Sequence, residues 1–195
     1  ARADVARPEQ PDPDQHDVAA VLQSVTTLAE VCGVGDRGVE LRSSMEERLR
    51  AVRDTVVSAP TPRALVVVGH EIGAGTVRSV WAAGPDTFYD GVLEIAGAVN
   101  ALDAAAVHYP ELSREGLAAL DPDVILDVVA GIDERGLETE EIMSGWGALT
   151  ELRAVREGKV RVLEGDLMVV PGPRLPELVA RIAWALHPDR EWEIR

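Results

Sequence analysis

Ala64-Leu65-Val66-Val67-Val68, running on into Gly69-His70-Glu71-Ile72-Gly73-Ala74-Gly75, decides how this chain is read. The first five residues are apolar without a break, and the last three of them are β-branched. A strand with one wet face alternates; a continuous run is what a strand covered on both faces requires. Val124-Ile125-Leu126-Asp127-Val128-Val129 repeats the pattern after the turn Asp121-Pro122-Asp123, and Lys159 to Leu163 reads as a further strand. Val77 to Ala82 is another strand candidate, and Ala106 to Tyr109 a short extended piece. Helical stretches lie between them. Pro85-Asp86-Thr87 opens a helix through Val92, Leu93 and Ile95 to Gly97, and Ser113 caps one that carries Leu117 and Leu120. Glu138 to Thr150 and Glu151 to Glu157 follow, and Arg174 to Leu186 closes the series with Leu178, Ile182, Ala185 and Leu186 inward. Strands alternating with helices imply crossover connections, so residues 63–188 are expected to form an α/β lobe of three layers with a mainly parallel sheet.

Upstream of that lobe the periodicity is helical. Val18, Val21, Leu22, Val25, Leu28 and Cys32 recur at the spacing of one helix face, with Asp14 or Asp17 as cap and Gly33 and Gly35 as the stop. Leu41, Met45, Leu49, Val52 and Val56 mark a second helix, Arg37 to Ser58, which Ala59-Pro60-Thr61-Pro62 ends. Residues 15–58 thus read as a helix pair. Residues 1–14, rich in Pro and Asp, read as a disordered or clipped arm, and 189–195 as a tail.

Composition narrows the partners. The chain has 195 residues, a net charge of −15 and 46% hydrophobic residues, enough for a substantial core. Such an acid excess argues against nucleic acid, which needs clustered Lys and Arg, and against an anionic membrane surface. Cys32, the single cysteine, allows no internal disulfide and is expected in the core. No apolar run approaches the length of a membrane span, and the first residues do not read as a signal peptide.

Catalytic motifs are missing. The glycines at 69, 73 and 75 do not fit a dinucleotide fingerprint, no Lys-Ser/Thr follows them, and the next segment reads as strand, so no helix N-terminus awaits a phosphate. No Gly-x-Ser-x-Gly elbow occurs. His16, His70, His108 and His187 show no paired metal-ligand spacing; a metal would need His70, His108 and Glu71 to converge. The expectation is no catalytic residue, no resident metal and no cofactor. Aromatic residues are few, so each counts. Trp184 is expected in the core, and Tyr109, in His108-Tyr109-Pro110, is a candidate for stacking on a ligand.

The order of short motifs is more specific than any one of them. Ala83-Gly84-Pro85-Asp86-Thr87-Phe88, Leu93-Glu94-Ile95-Ala96-Gly97-Ala98-Val99-Asn100, Tyr109-Pro110-Glu111-Leu112-Ser113-Arg114-Glu115, Leu120-Asp121-Pro122-Asp123-Val124-Ile125, Ala154-Val155-Arg156-Glu157-Gly158-Lys159-Val160 and Pro171-Gly172-Pro173-Arg174 occur in that sequence. The series resembles the C-terminal lobe of the substrate-binding proteins of ABC importers for cobalamin, ferric siderophores and haem, the class III periplasmic binding proteins. Residues 15–58 resemble that family's last helix of the first lobe and the long backbone helix between its two lobes; the resemblance does not extend to the family's N-terminal lobe. The resemblance implies capture of a metal chelate and delivery to an ABC permease. It also implies a periplasmic or extracytoplasmic location, at the membrane through the transporter or a lost lipid anchor. It places the loop from His70 to Gly75, Tyr109 and the segment Asp166 to Val170 at the cleft. The expected ligand-binding residues are His70, Glu71, Trp81, Tyr109 and Met168, with His70 alternatively an axial metal ligand. Permease docking falls to Glu164 and Asp166. Two other readings stand beside this one: an α/β small-molecule-binding enzyme or regulatory domain, and an interaction module whose open face pairs with a second copy.

Overall fold

The computed structural model describes residues 18–72, 75–103, 107–132 and 136–192. The expected arm at 1–14, the caps Asp14 and Asp17, Gly73 and Ala74 of the glycine loop, Ala106 and the last three residues of the tail lie outside these.

β1 (Arg63–His70) is the strand from which the rest is laid out. β5 (Val124–Val129) lies parallel to it on one side, and β6 (Val160–Glu164) parallel to β5 beyond that. On its other side, β3 (Val99–Asn100) pairs parallel with the start of β1, and β2 (Ser79–Ala82) pairs antiparallel with its end; β4 (Glu111–Ser113) pairs antiparallel with β2. The sheet is mostly parallel, as expected. β2 is the exception, because no helix separates it from β1 and a direct connection can only return antiparallel. The expected extended piece before Pro110 is a bend over 107–109; the strand begins at Glu111.

Both faces of β1 are covered. Ala64 and Val66, with Val124, Leu126 and Val128, pack beneath α2 (Gly35–Val56), α3 (Phe88–Ile95) and α7 (Leu175–Leu186). Leu65 and Val67, with Ile125, Val129 and Val160, pack on the opposite side against α4 (Arg114–Leu120), α5 (Thr139–Gly147) and α6 (Arg153–Arg156). Each of these large side chains contributes about 1.5–3 kcal/mol by leaving water. Ser113 caps α4 as expected, its Oγ accepting from Gly116 N at 3.2 Å. The turn into β5 is pinned by its own acids: Asp123 Oδ2 accepts from Arg63 N and Asp121 Oδ1 from Arg153 N.

Two expectations about the core fail. α1 (Val18–Val31) buries Val18, Leu22 and Val25 and sets Ala29 against Gly38 of α2, but Leu28 lies off that packed face and is exposed, and Cys32, in the turn beyond the helix, is exposed as well. Trp184 is 51% exposed. It lies two residues from the inward Ile182, about 200° around the helix, while Leu178, Val179, Ile182 and Leu186 take the core positions. No helix among the described residues is long and apolar enough to cross a membrane.

The junction between α2, α3 and α7 turns on Gly97 and His187. Gly97 has φ of +77°, and a Cβ there would stand 2.8 Å from Val56 Cγ2 and 3.1 Å from His187 Nε2. Gly97→Ala is therefore expected to destabilise the fold by about 2 kcal/mol or more, read as a lowered urea midpoint at unchanged slope. His187 Nε2 lies 3.0 Å from the Ala96 carbonyl, and burial pushes this imidazole below the ordinary histidine range despite the backbone hydrogen bonds that favour its charge. The folded state thus prefers it neutral. Its contribution is complete above about pH 6.5, the unfolded value, and is lost as pH falls through the folded one. His187→Gln should flatten the pH dependence of the urea midpoint below that point.

Candidate ligand-binding site

In open α/β sheets ligands gather beyond the carboxyl ends of the parallel strands. Here that edge holds the connection after β1, the end of β5, and the turn after β6. A bulge shapes it. The pairing of β1 with β2 steps from Val67–Ala82 to Gly69–Trp81 and His70–Val80, so β1 carries one residue more than its partner. Side chains alternate along a strand, and one extra residue reverses the alternation. His70 therefore lands on the same face as Val67, under α5. Gly69 falls on the face of Trp81, where a Cβ would be 4.0 Å from Trp81 Cδ1, an ordinary contact.

The consequence is a polar cluster inside the lobe. Asp127, in the middle of β5, has 0% of its surface exposed, and the His70 side chain has 2%. Asp127 Oδ2 lies 2.8 Å from His70 Nε2 and accepts from Trp146 Nε1 at 2.7 Å. The His70 and Trp146 rings meet edge to face with centroids 5.7 Å apart. His70 Nδ1 faces the Glu71 carbonyl at 3.3 Å. Asp127 Oδ1 and, nearby in the chain's return, Thr76 Oγ1 have no protein partner. A cavity of about 10 Å³, the room one water needs, adjoins the cluster and is lined by His70, Glu71, Thr76, Val77, Glu141 and Gly145.

A second group of residues meets on the other side of the sheet. Tyr89, in the first turn of α3, donates its hydroxyl to the Met168 carbonyl. Burial holds its phenol well above the ordinary tyrosine range, and the nearby Tyr109 adds to this. Tyr109 is itself pushed up by partial burial but keeps a half-exposed ring. Trp81, also half exposed, stands opposite Glu111 in the β2–β4 pair, and Ala82 N donates to Pro110 O, which brings the Tyr109 segment alongside β2. Val107, Val169 and Val170 are exposed too.

The expected site residues thus separate. Trp81 and Tyr109 present accessible rings on neighbouring segments, and Glu71 is exposed at the head of the glycine loop. His70 does not face outward: the bulge turns it into the lobe, where Asp127 takes the ring nitrogen that a metal would need. Met168 is buried, 1% exposed, and offers its carbonyl to Tyr89 in place of a thioether to a ligand. Of the docking candidates, Glu164 is exposed and receives the Thr139 hydroxyl, and Asp166 is exposed at the start of the helical turn Asp166–Met168. His108 is exposed, with Nδ1 3.3 Å from Pro85 O. No three His, Cys, Asp or Glu among the described residues converge on a metal position. Asp127 escaped the sequence reading, and Trp146, expected with Trp81 and Tyr109 near a strand end or loop, is instead buried on α5. The signal was there, since Asp127 is the lone acid in an otherwise apolar strand.

Comparison with known proteins agrees with this architecture. The profile of the periplasmic binding protein family matches residues 9–167. The chain belongs to that family. A cobalamin-binding protein of Halobacterium salinarum is 27% identical over 172 residues, covering 87% of this chain and 44% of that protein. An uncharacterised ABC transporter substrate-binding lipoprotein of Bacillus subtilis is 25% identical over 176 residues, 90% of this chain and 52% of that one. Among solved structures, a periplasmic haem-binding protein from Pseudomonas aeruginosa superposes with a TM-score of 0.73 at 30% identity, over 90% of this chain and 62% of that one. The chain spans about half the length of the curated relatives it matches.

Within this periplasmic binding protein lobe the Trp146 indole is bound to be costly to alter. Trp146→Phe keeps most of the volume but removes one of the two donors that Asp127 Oδ2 uses, at a carboxylate with no exposed surface. A loss of about 1–3 kcal/mol is expected, measured as a lowered denaturant midpoint; an unchanged midpoint would show that this hydrogen bond carries no net weight.

Proposed function

We propose that this chain is the ligand-capturing part of the substrate-binding component of an ABC importer. It takes a metal chelate of the cobalamin, ferric siderophore or haem class and hands it to a permease outside the cytoplasm. The observation that carries the reading is the pair of half-exposed rings, Trp81 and Tyr109, on the edge where α/β sheets bind ligands, beside the exposed Val169 and Val170. Large planar chelates offer an apolar face to such rings. A named cobalamin-binding relative and a haem-binding structural neighbour support the ligand class; a lipoprotein relative supports the location. No step in this function needs a catalytic residue.

In this reading α2 is the helix between two lobes, residues 63–188 are the C-terminal jaw, and another lobe completes the cleft. The exposed Leu28, Val31, Val34 and Val39, where α1 turns into α2, support such a neighbour, because an apolar cluster of that kind gains by being covered. Glu164 and Asp166 are the proposed docking acids for the permease.

The test is a titration of tryptophan emission with cyanocobalamin, haemin and a ferric hydroxamate. One of the three should quench it with saturation, and Tyr109→Ala should weaken that ligand about tenfold, the equivalent of one aromatic contact. If all three leave the emission unchanged, the chelate reading falls. A thermal shift with a nucleotide and none with chelates would favour the small-molecule-binding enzyme or regulatory domain instead.

A further inference from the structure

Asp127 is the only acid among the described residues that is fully withdrawn from water. It lies at the centre of the sheet, paired with Val67 on one side and Val162 on the other. A carboxylate in such a place costs several kcal/mol in lost hydration, and packing alone would favour an apolar residue. Its position makes sense through what it holds. A single oxygen, Oδ2, meets both the imidazole of His70 and the indole N–H of Trp146. His70 is the last residue of β1, directly before Glu71. Trp146 belongs to α5, whose Gly145 carbonyl accepts from Val77 N at 3.2 Å, just before β2. The two described ends of the β1–β2 connection therefore hang on one carboxylate oxygen.

The protonation state follows from the donors. With Asp127 ionised, Oδ2 accepts and His70 Nε2 carries the proton. The Glu71 carbonyl also accepts, so Nδ1, 3.3 Å from it, must carry one too if that contact is to attract. Both ring nitrogens are donors only in the imidazolium. The charged groups around the ring suit a cation: Asp127 from β5, Glu71 from the connection itself, and Glu141 from α5 across the small cavity, while β2 presents Val80. A neutral ring bound to Asp127 would turn a lone pair toward the Glu71 carbonyl and release it.

We infer that Asp127 is a positioning residue for ligand capture, acting through a protonated His70 that fixes the Glu71 end of the ligand edge, so that capture is proton-linked. The capture role rests on the proposed function; the ion pair does not. Protonation pre-orders the backbone at the rim, and a pre-ordered rim binds more tightly. Affinity should be highest where His70 is charged and should fall as pH rises through its titration.

Two measurements on the whole chain separate the claims. In protein labelled with ¹⁵N-histidine, both His70 nitrogens should be protonated at pH 6, and Asp127→Asn should leave a ring with one proton at the same pH. A neutral His70 at pH 6 in the unaltered protein overturns the ion pair. The dissociation constant of whichever of cyanocobalamin, haemin and ferric hydroxamate binds best should be several-fold lower at pH 6 than at pH 8. His70→Gln, whose amide can still donate to Asp127 but does not titrate, should abolish that difference; a pH dependence that survives in it overturns the positioning role. If Asp127→Asn does not fold, the unaltered protein and His70→Gln still decide both points. If none of the three ligands binds, the capture role falls with the proposed function, and the ¹⁵N result alone upholds or overturns the ion pair.

Discussion

Leu65 and Val67 on one side of β1, and Ala64 and Val66 on the other, are all without accessible surface. A strand so apolar has no face to offer water, and every other element is placed by the need to cover it. Parallel neighbours take its backbone groups, β5 along its length and β3 at its start. Helices then cover the two sheet faces, α2, α3 and α7 on one and α4, α5 and α6 on the other. The same arrangement brings the carboxyl ends of β1, β5 and β6 together on one edge, and that edge is where the unpaired loops and the accessible aromatic rings collect.

The covered strand also explains why its one irregularity matters. The extra residue near Val68 reverses the facing of everything after it. It puts Gly69 on the face of Trp81 and turns His70 inward to a buried carboxylate. Two different rims result. On the α3 side, Tyr89, Tyr109 and the Met168 carbonyl form a mostly apolar group, with α3 tied to the turn after β6 by the Tyr89 hydroxyl. On the α5 side, Asp127, His70 and Trp146 form a polar one. In the proposed function the first is part of a ligand-facing surface. The second is a charge placed in the core at a cost, and the proton-linked positioning inferred for it gives that cost a purpose.

The chain spans about half the length of its curated relatives, and the proposed function makes it one jaw that works against another lobe. The accessible rings lie at one edge and are not enclosed, and the apolar side chains at the α1–α2 turn remain uncovered among the described residues. In that proposed arrangement an open half-site gains little affinity from area alone; what it contributes is orientation, and orientation depends on how firmly its edge loops are held.

What the sequence by itself determined was the alternation of elements. The unbroken apolar run at Ala64–Val68 and the nearly unbroken one at Val124–Val129, interrupted only by Asp127, read as strands buried on both sides, and the caps, turns and breaks at Ser113, Asp121-Pro122-Asp123 and Pro60 lie where the chain changes course. The ordered motifs from Ala83 to Arg174 were enough to indicate the family. Rare aromatic residues near expected strand ends and loops pointed to Trp81, Tyr109 and Trp146 alike; the first two are accessible, but Trp146 is fully buried. Facing was decided only by the tertiary structure. Cys32 and Trp184 read as core and are exposed, because the turns that carry them extend beyond, or point away from, the helices that could cover them. Met168 and His70 read as ligand-facing and are buried. Asp127 read as one residue in an apolar strand and proved to be the acceptor at the lobe's centre. Periodicity records which residues share a side of one element, whereas the side that meets the core depends on register with neighbours distant in the chain, and here a single bulge between β1 and β2 sets it.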